Sequence, residues 1–459
     1  MRDMSDKRDR SDRSGRSDMR DIFVGPSSLK GSVTSPPSKS IAHRALILAS
    51  LAAGSAAGME AVQGIGQGIR RETSQDIAAT IDCLHGLFDL TVPAASNDLR
   101  QLNCKESGST LRFLIPVAAA LQRAAIFSGA KRLAERPLSE YSGIFAHQDI
   151  TLDFIKPGYS LPLIVRGKLR SGQFYVPGHI SSQFITGLML VLPLLEGDST
   201  IHLTSPLQSG PYIAITQSVL AQFRIQIDQL RDTVGMISGW RLPGNQICRI
   251  PDGGITVEAD YSQAAFWLTA QFMGQQVEVP GLNPDSVQGD RAMIAFLAKM
   301  AVGADGARGG FASEGGGSEG GAKERGAERI IDLGQTPDLA PALAVAACYA
   351  PGRTILSNAG RLRLKESDRL AVTAEVLTHI GANVTATADS LIIDGGTPLA
   401  GGEIDAHNDH RIVMASAIAA LGTQKGVLIR GANAVTKSYP RFFEELKRLG
   451  GDVHDIDMG

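Results

Sequence analysis

The hydrophobic positions of the chain gather into six long apolar runs, each opened by a small polar cluster. The openings are Ser38-Lys39-Ser40, Ser107-Gly108-Ser109, Ser181-Ser182-Gln183, Asp260-Tyr261-Ser262, Pro337-Asp338 and Asn408-Asp409-His410. The residues that follow each opening are rich in Ala and Leu, which are good helix formers, and apolar almost all round, which predicts buried helices. Ser, Asp and Asn at the openings suit N-caps, where a side-chain oxygen accepts from an otherwise unpaired amide. At the first opening, Pro36-Pro37 stops the preceding chain and Ser38 or Ser40 can cap. The openings recur at roughly 70–80 residues, far longer than a solenoid unit. Between them lie short β-like runs with Gly or Pro ends, at 200–203, 254–257, 329–333 and 390–393. A second kind of helix is predicted over 368–377, closing at Gly381. The pattern predicts an α/β (α+β) protein of two domains, each with three repeated units, whose buried helix starts converge on one cleft.

Length and composition narrow the picture. At 459 residues two domains are expected, and 43% hydrophobic with 20% charged residues is ordinary globular composition. The net charge of −2 provides no global field for nucleic acid or membrane, so anion recognition must be local. Cys83, Cys104, Cys248 and Cys348 have neither metal-ligand spacing nor a short-chain disulfide context; Cys83 and Cys348 sit among apolar residues and read as core. A reducing, cytoplasmic setting fits. The longest apolar run, 184–195, is short of the ~18 residues of a membrane span and contains Thr186 and Pro193. Residues 1–21 are a charged low-complexity tail, expected to be disordered and without secretory or transit character. Residues 303–327 read as a flexible Gly-rich insertion.

The chemistry lies at the openings. Lys39 and Arg44 fall in the first turns of a helix, where the macrodipole is already positive, an unfavourable place unless an anion binds. Gly108, Arg112 and Arg136 follow the second opening, and Ser181, Ser182, Gln183, Ser209 and Tyr212 the third. The later ones bring Asp338, then Lys365, Glu366 and Arg369, then Asp409, His410 and Arg411, and finally Lys437. This inventory suits two substrates bearing several phosphates and carboxylates, with one base and one acid. Each element has a structural alternative. Residues 365–369 could be a solvated helix start, Asp338 and Ser181-Ser182 could be caps, and His410 a structural hydrogen-bonder. Recurrence at equivalent places in successive repeats favours a site.

These stretches resemble one family. Pro-Ser-Lys-Ser-Ile-Ala-His-Arg at 37–44, Ser-Gly-Ser-Thr-Leu-Arg at 107–112, Glu-Arg-Pro-Leu at 135–138 and Ser-Ser-Gln-Phe-Ile-Thr at 181–186 resemble EPSP synthase, of the enolpyruvate transferases. So do Gly-Pro-Tyr-Ile at 210–213, Pro-Asp-Leu-Ala-Pro at 337–341, Leu-Lys-Glu-Ser-Asp-Arg-Leu at 364–370, Asp-His-Arg at 409–411 and Thr-Lys-Ser-Tyr-Pro at 436–440. The resemblance spans nearly all of 24–450. It implies transfer of the enolpyruvyl group of phosphoenolpyruvate to the 5-hydroxyl of 3-phosphoshikimate, in aromatic amino-acid biosynthesis. It implies three βαβαββ units per domain, an inside-out barrel around buried helices, over 38–257 and over 22–37 with 258–459. It further implies no cofactor, no nucleic acid or membrane partner, and a monomer.

Roles follow from the same resemblance. Lys39 would contact both substrates, and Ser40 and Arg44 the shikimate carboxylate side. Ser181, Ser182 and Ser209 would hold the 3-phosphate with Lys365 in support, and Gln183 would sit between the substrates. Gly108, Arg136, Arg369, Arg411 and Lys437 would cradle phosphoenolpyruvate. Asp338 would take the proton of the attacking hydroxyl, and Glu366 would protonate the donor's methylene carbon, its pKa raised by desolvation on closure against the pull of nearby cations. Two positions depart from the family pattern. Glu106 places a carboxylate beside an anion site, unfavourable unless a nearby Arg pairs with it, and Arg361 stands where a family Asn can contact 3-phosphoshikimate. The alternatives are the sister transferase acting on UDP-N-acetylglucosamine, which carries a reactive Cys in a loop where residues 131–137 have none, and an inactive anion-binding protein of the same fold. Nucleic-acid binding through the tail is disfavoured by its balance of acids and bases.

Overall fold

The computed structural model describes residues 20–63, 73–89, 91, 98–301 and 328–456. The expected insertion at 303–327 and residues 1–19 of the expected tail lie outside the described residues. Asp21, counted with that tail, instead opens the strand Asp21–Val24, where its carboxylate accepts from Arg430 Nη1 at 2.7 Å and from the Gly431 amide at 3.0 Å.

All six apolar runs are helices: Lys39–Ala53, Gly108–Ala120, Ser182–Met189, Tyr261–Phe272, Ala340–Tyr349 and His410–Ala420. Almost every residue in them is buried. Four are framed by a repeated sheet. A parallel strand pair flanks the buried helix, as in 100–103 beside 125–128, 173–177 beside 199–205, 329–332 beside 352–357 and 402–405 beside 427–430. A parallel pair needs such a crossover. In the first three an outer helical segment follows, then an antiparallel hairpin that completes a four-stranded sheet. The fourth sheet has no such hairpin. Its place is taken by the strand Val453–Ile456 and by the N-terminal strand Asp21–Val24, which inserts between 427–430 and 453–456. The helices at 39 and 261 go with two short parallel pairs, 62–63 with 255–256 and 30–32 with 276–278. These join segments far apart in sequence, because the chain passes between two cores there.

One core is built from residues 41–257, the other from 22–33 together with 265–453. The two connections run antiparallel side by side. Ser38 N–H donates to the Glu258 carbonyl and Asp260 N–H to the Pro36 carbonyl, each at 2.8 Å, and Pro37 pairs with Ala259. Among the described residues no helix is long and apolar enough to cross a membrane.

The buried helices approach closely. A Cβ at Gly187 would lie 2.7 Å from the Arg112 carbonyl oxygen and 2.9 Å from Pro116 Cγ, so only glycine lets 182–189 pack on 108–120. Gly187→Ala is therefore expected to push these helices apart and cost about 1–3 kcal/mol of stability. Urea unfolding checks it, and an unchanged midpoint would show that the interface yields freely.

Candidate active site

The helix starts at 39, 108, 182 and 410 meet the turn at 337–339 and the segment 361–369 around one cleft between the two cores. Its walls carry eight cations, Lys39, Arg44, Arg112, Arg136, Arg361, Lys365, Arg369 and Arg411, against four carboxylates, Asp76, Asp260, Asp338 and Glu366. Ser40, Gly108, Ser181, Ser182, Gln183, Ser209, Tyr212 and His410 complete the lining relevant to the sequence expectations.

On the first core, Lys39 Nζ is held by Asp76 Oδ2 at 2.7 Å. Ser38 occupies the N-cap but its hydroxyl makes no cap bond, contrary to expectation. Asp260 does that work from the neighbouring connection. Its carboxylate accepts from the Lys39 amide at 3.0 Å and from the Gln263 amide at 3.1 Å, so one side chain caps helices of both cores. Arg44 is buried and stacked over Phe113, 5.0 Å from the ring centroid. Its Nε donates to Thr216 Oγ1 at 2.8 Å, Nη1 to the Ser40 carbonyl at 2.5 Å, and Nη2 to Thr186 Oγ1 and the Tyr212 carbonyl at 3.3 and 3.1 Å. A guanidinium has five donor hydrogens, so one on Nη1 is left for a ligand. Gln183 is clamped between Arg112 Nη1 at 2.9 Å and Ser109 Oγ at 3.0 Å. Gly108 lets the Arg136 guanidinium come close, since a Cβ there would sit 2.8 Å from Arg136 Nη1 and displace it. Ser181 does cap, accepting from the Gln183 amide at 3.3 Å. Ser209 adopts a left-handed backbone, φ 56°, unusual for a residue with a side chain, and its hydroxyl accepts from Arg361 Nη1 at 2.8 Å across the cleft.

On the second core, one guanidinium organises the acids. Arg369, 1% exposed, donates from Nε and Nη2 to the two oxygens of Asp409 at 2.9 and 3.1 Å, from Nη1 to Asp338 at 3.1 Å, and from Nη2 to Glu366 at 2.5 Å. Asp338 also meets Tyr212 Oη at 2.8 Å, Lys365 Nζ at 3.0 Å and Arg411 Nη2 at 3.3 Å. It makes no cap bond; that alternative is removed. Burial pushes the Asp338 carboxyl up, but Arg411, Lys365 and Arg369 outweigh it and hold its pKa well below the usual range. Glu366 behaves alike. Burial raises it, yet Arg369 and Arg136, the latter at 3.7 Å, bring it well below the ordinary value. The expected rise of the Glu366 pKa, tied to closure, is not the direction found, because two guanidinium groups lie within reach. His410 is buried with no partner on either ring nitrogen, and burial lowers its pKa well below normal, so it is neutral.

Of the expected site residues, Lys437 alone does not line the cleft; its ammonium turns to Glu106 at 2.5 Å. The partner of Glu106 is thus a lysine from the other core, where an arginine was expected. The ion pair of Asp76 with Lys39 was invisible in sequence. Ser74-Gln75-Asp76 reads as an ordinary helix start, and nothing local ties it to residue 39. Cys83 and Cys348 are buried as expected, Cys104 is buried as well, and no cysteine lines the cleft.

The family model of EPSP synthase (3-phosphoshikimate 1-carboxyvinyltransferase) matches residues 24–446. The chain is similar to the 3-phosphoshikimate 1-carboxyvinyltransferase of Clostridium acetobutylicum, 39% identical with 96% of this chain and 100% of the relative covered. Its similarity to the Clostridioides difficile enzyme of the same name is 38%, with the same coverage. Among solved structures it is similar to EPSP synthase from Acinetobacter baumannii, with a TM-score of 0.68 at 23% identity over 96% of this chain and 100% of that one. The enolpyruvyl transferase NikO from Streptomyces tendae follows at 0.64 and 14% identity, covering 96% and 99%. At these identities the structures speak for the fold alone.

Removing Arg369 would leave the buried Asp409 and the half-buried Asp338 and Glu366 without their shared cation. Arg369→Met is expected to cost about 3–5 kcal/mol. Asp338 and Glu366 have depressed folded pKa values, so their stabilisation is complete above the unfolded values near pH 4 and is lost as pH falls through the folded ones. Urea midpoints measured from pH 7 to pH 3 check both. A midpoint that stays level in acid, or an unaltered Arg369→Met, would contradict the pairing.

Proposed function

The chain belongs to the EPSP synthase family, and from that premise we propose how its cleft performs the family reaction. The reaction is transfer of the enolpyruvyl group of phosphoenolpyruvate to the 5-hydroxyl of 3-phosphoshikimate, giving 5-O-(1-carboxyvinyl)-3-phosphoshikimate and phosphate, on the route to chorismate and the aromatic amino acids. The observation that carries the assignment of roles is that Asp338 and Glu366 share Arg369 inside a cleft with excess cations.

In this reading Ser181, Ser182 and Ser209 bind the 3-phosphate with Lys365, while Ser40 and the free Nη1 hydrogen of Arg44 meet the acceptor's carboxylate side. Lys39 touches both substrates, and Gln183, held rigidly from both sides, lies between them. Arg136, Arg369, Arg411 and the open space at Gly108 receive phosphoenolpyruvate, with Lys437 behind them. Asp338 is the base and Glu366 the acid. The low pKa values of the ligand-free state support a sequence of events. Phosphoenolpyruvate brings its own anionic groups to Arg136 and Arg369, which weakens their hold on Glu366 while burial, the force raising its pKa, stays. Glu366 then takes up a proton and can deliver it to C3. C2 becomes electrophilic, the 5-hydroxyl attacks it, and Asp338 accepts the hydroxyl proton once Lys365 turns toward the 3-phosphate. Loss of phosphate and return of a C3 proton to Glu366 gives the enol ether. The cations are preorganised where charge develops, which is the larger part of such catalysis.

Two bodies, 38–257 and 22–37 with 258–459, would move about the paired connections at 36–38 and 258–260. Contacts such as Tyr212 with Asp338 and Arg361 with Ser209 favour the closed arrangement. The enzyme would act as a cytoplasmic monomer, since one chain supplies the whole cleft.

Mixing the purified protein with 3-phosphoshikimate and phosphoenolpyruvate should release phosphate. Release with UDP-N-acetylglucosamine but not with 3-phosphoshikimate would overturn the reading. Glu366→Gln should leave KM for both substrates nearly intact while lowering kcat by ~10² or more, the size expected for a lost general acid. Full turnover by this variant in steady-state assays would remove Glu366 from its role.

A further inference from the structure

Glu106 lies in the turn before the Gly108–Ala120 helix, on the first core. Its carboxylate reaches across to the second core. Oε2 accepts from Lys437 Nζ at 2.5 Å, and both oxygens accept from Asn408 Nδ2, at 2.9 and 3.2 Å. The same ammonium donates to the Asn408 carbonyl. His407 and Asn408 are consecutive left-handed residues, φ 48° and 55°, an uncommon pair that aims both the carbonyl and the side chain of Asn408 at this contact. Lys437 is 5% exposed on its side chain, so it cannot exchange this partner for water without cost.

The contact adjoins the donor end of the cleft. Gly108, two residues on from Glu106, faces the guanidinium of Arg136, and Arg411 lies three residues after Asn408. The cleft walls already hold twice as many cations as carboxylates. A further buried ammonium at this edge would repel them unless an anion sits on it. Glu106 is that anion in the ligand-free protein. Phosphoenolpyruvate brings another, and one ammonium held by a carboxylate and a carbonyl has little left to offer it.

We propose that Glu106 is a positioning residue that acts as a built-in competitor for Lys437. It neutralises the lysine and ties the two cores together, and it yields the lysine to an anionic group of phosphoenolpyruvate when the donor binds. This rests on the assignment of Lys437 as a donor ligand. The presence of Glu106 sets the donor affinity lower than the cations alone would give. Its effect must pass through Lys437, which separates it from a general role in folding.

The test is steady-state kinetics on wild type, Glu106→Gln, Lys437→Gln and the double variant, with 3-phosphoshikimate saturating and phosphoenolpyruvate varied. Glu106→Gln keeps the shape and removes the charge, so KM for phosphoenolpyruvate should fall about fivefold, the worth of one partly buried ion pair, with a smaller change in kcat. Lys437→Gln should raise that KM, and in its background Glu106→Gln should change nothing further. A KM that is unchanged or raised in Glu106→Gln, beside a raised KM in Lys437→Gln, overturns the proposal while leaving Lys437 as a ligand. A fall that persists in the double variant overturns it too, since the effect would bypass the lysine. An unchanged KM in Lys437→Gln removes Lys437 from the donor's ligands and overturns both statements. Should Lys437→Gln fail to fold, the direction of the KM change in Glu106→Gln still decides.

Discussion

Like charges gathered in a place with little water repel strongly unless each is given a partner, and this constraint shapes the whole cleft. The fold brings eight cations to one surface. Water screens them poorly there, so the protein answers with carboxylates fixed on separate elements. Asp409 caps the helix at 410, Asp338 sits on the turn at 337–339, and Glu366 comes from the segment before the helix at 369. Arg369 holds all three. Arg369 with Arg411 and Lys365, and Arg369 with Arg136, thus hold the Asp338 and Glu366 carboxyls well below the usual range.

The scaffold makes this affordable because the helices are buried along their length, leaving their N-termini as the rigid part that faces the cleft. Close packing fixes them, as at Gly187 against the Arg112 carbonyl. The chain passes between the two cores by two adjacent, paired connections. Asp260 sits at that crossing and caps a helix on either side, so helix geometry and connection are coupled through a single carboxylate.

Residues that depart from the family pattern are accommodated by partners from the opposite core. Arg361 finds the strained Ser209, and Glu106 finds Lys437 and Asn408. Both contacts join the two cores, so what looks like local substitution in the sequence is a long-range pairing in space.

The sequence by itself determined the six buried helices, because an Ala- and Leu-rich run apolar on all sides can be stable only when covered, and it marked their starts within a residue at Ser38, Ser107, Ser181, Asp260 and Asp409. It also singled out the cations and the two carboxylates, since they recur at equivalent places in successive repeats. It did not reveal the insertion of the N-terminal strand into the last sheet, the capping of the Lys39 helix by Asp260, the hold of Asp76 on Lys39, or the direction of the Glu366 pKa. The first three pair groups tens to hundreds of residues apart, and the last sums the charges of Arg369, three residues on, and of Arg136 from the other core. Helix burial is written in a local period, whereas which charge neutralises which depends on distances of a few ångströms that exist only after the chain has closed on itself.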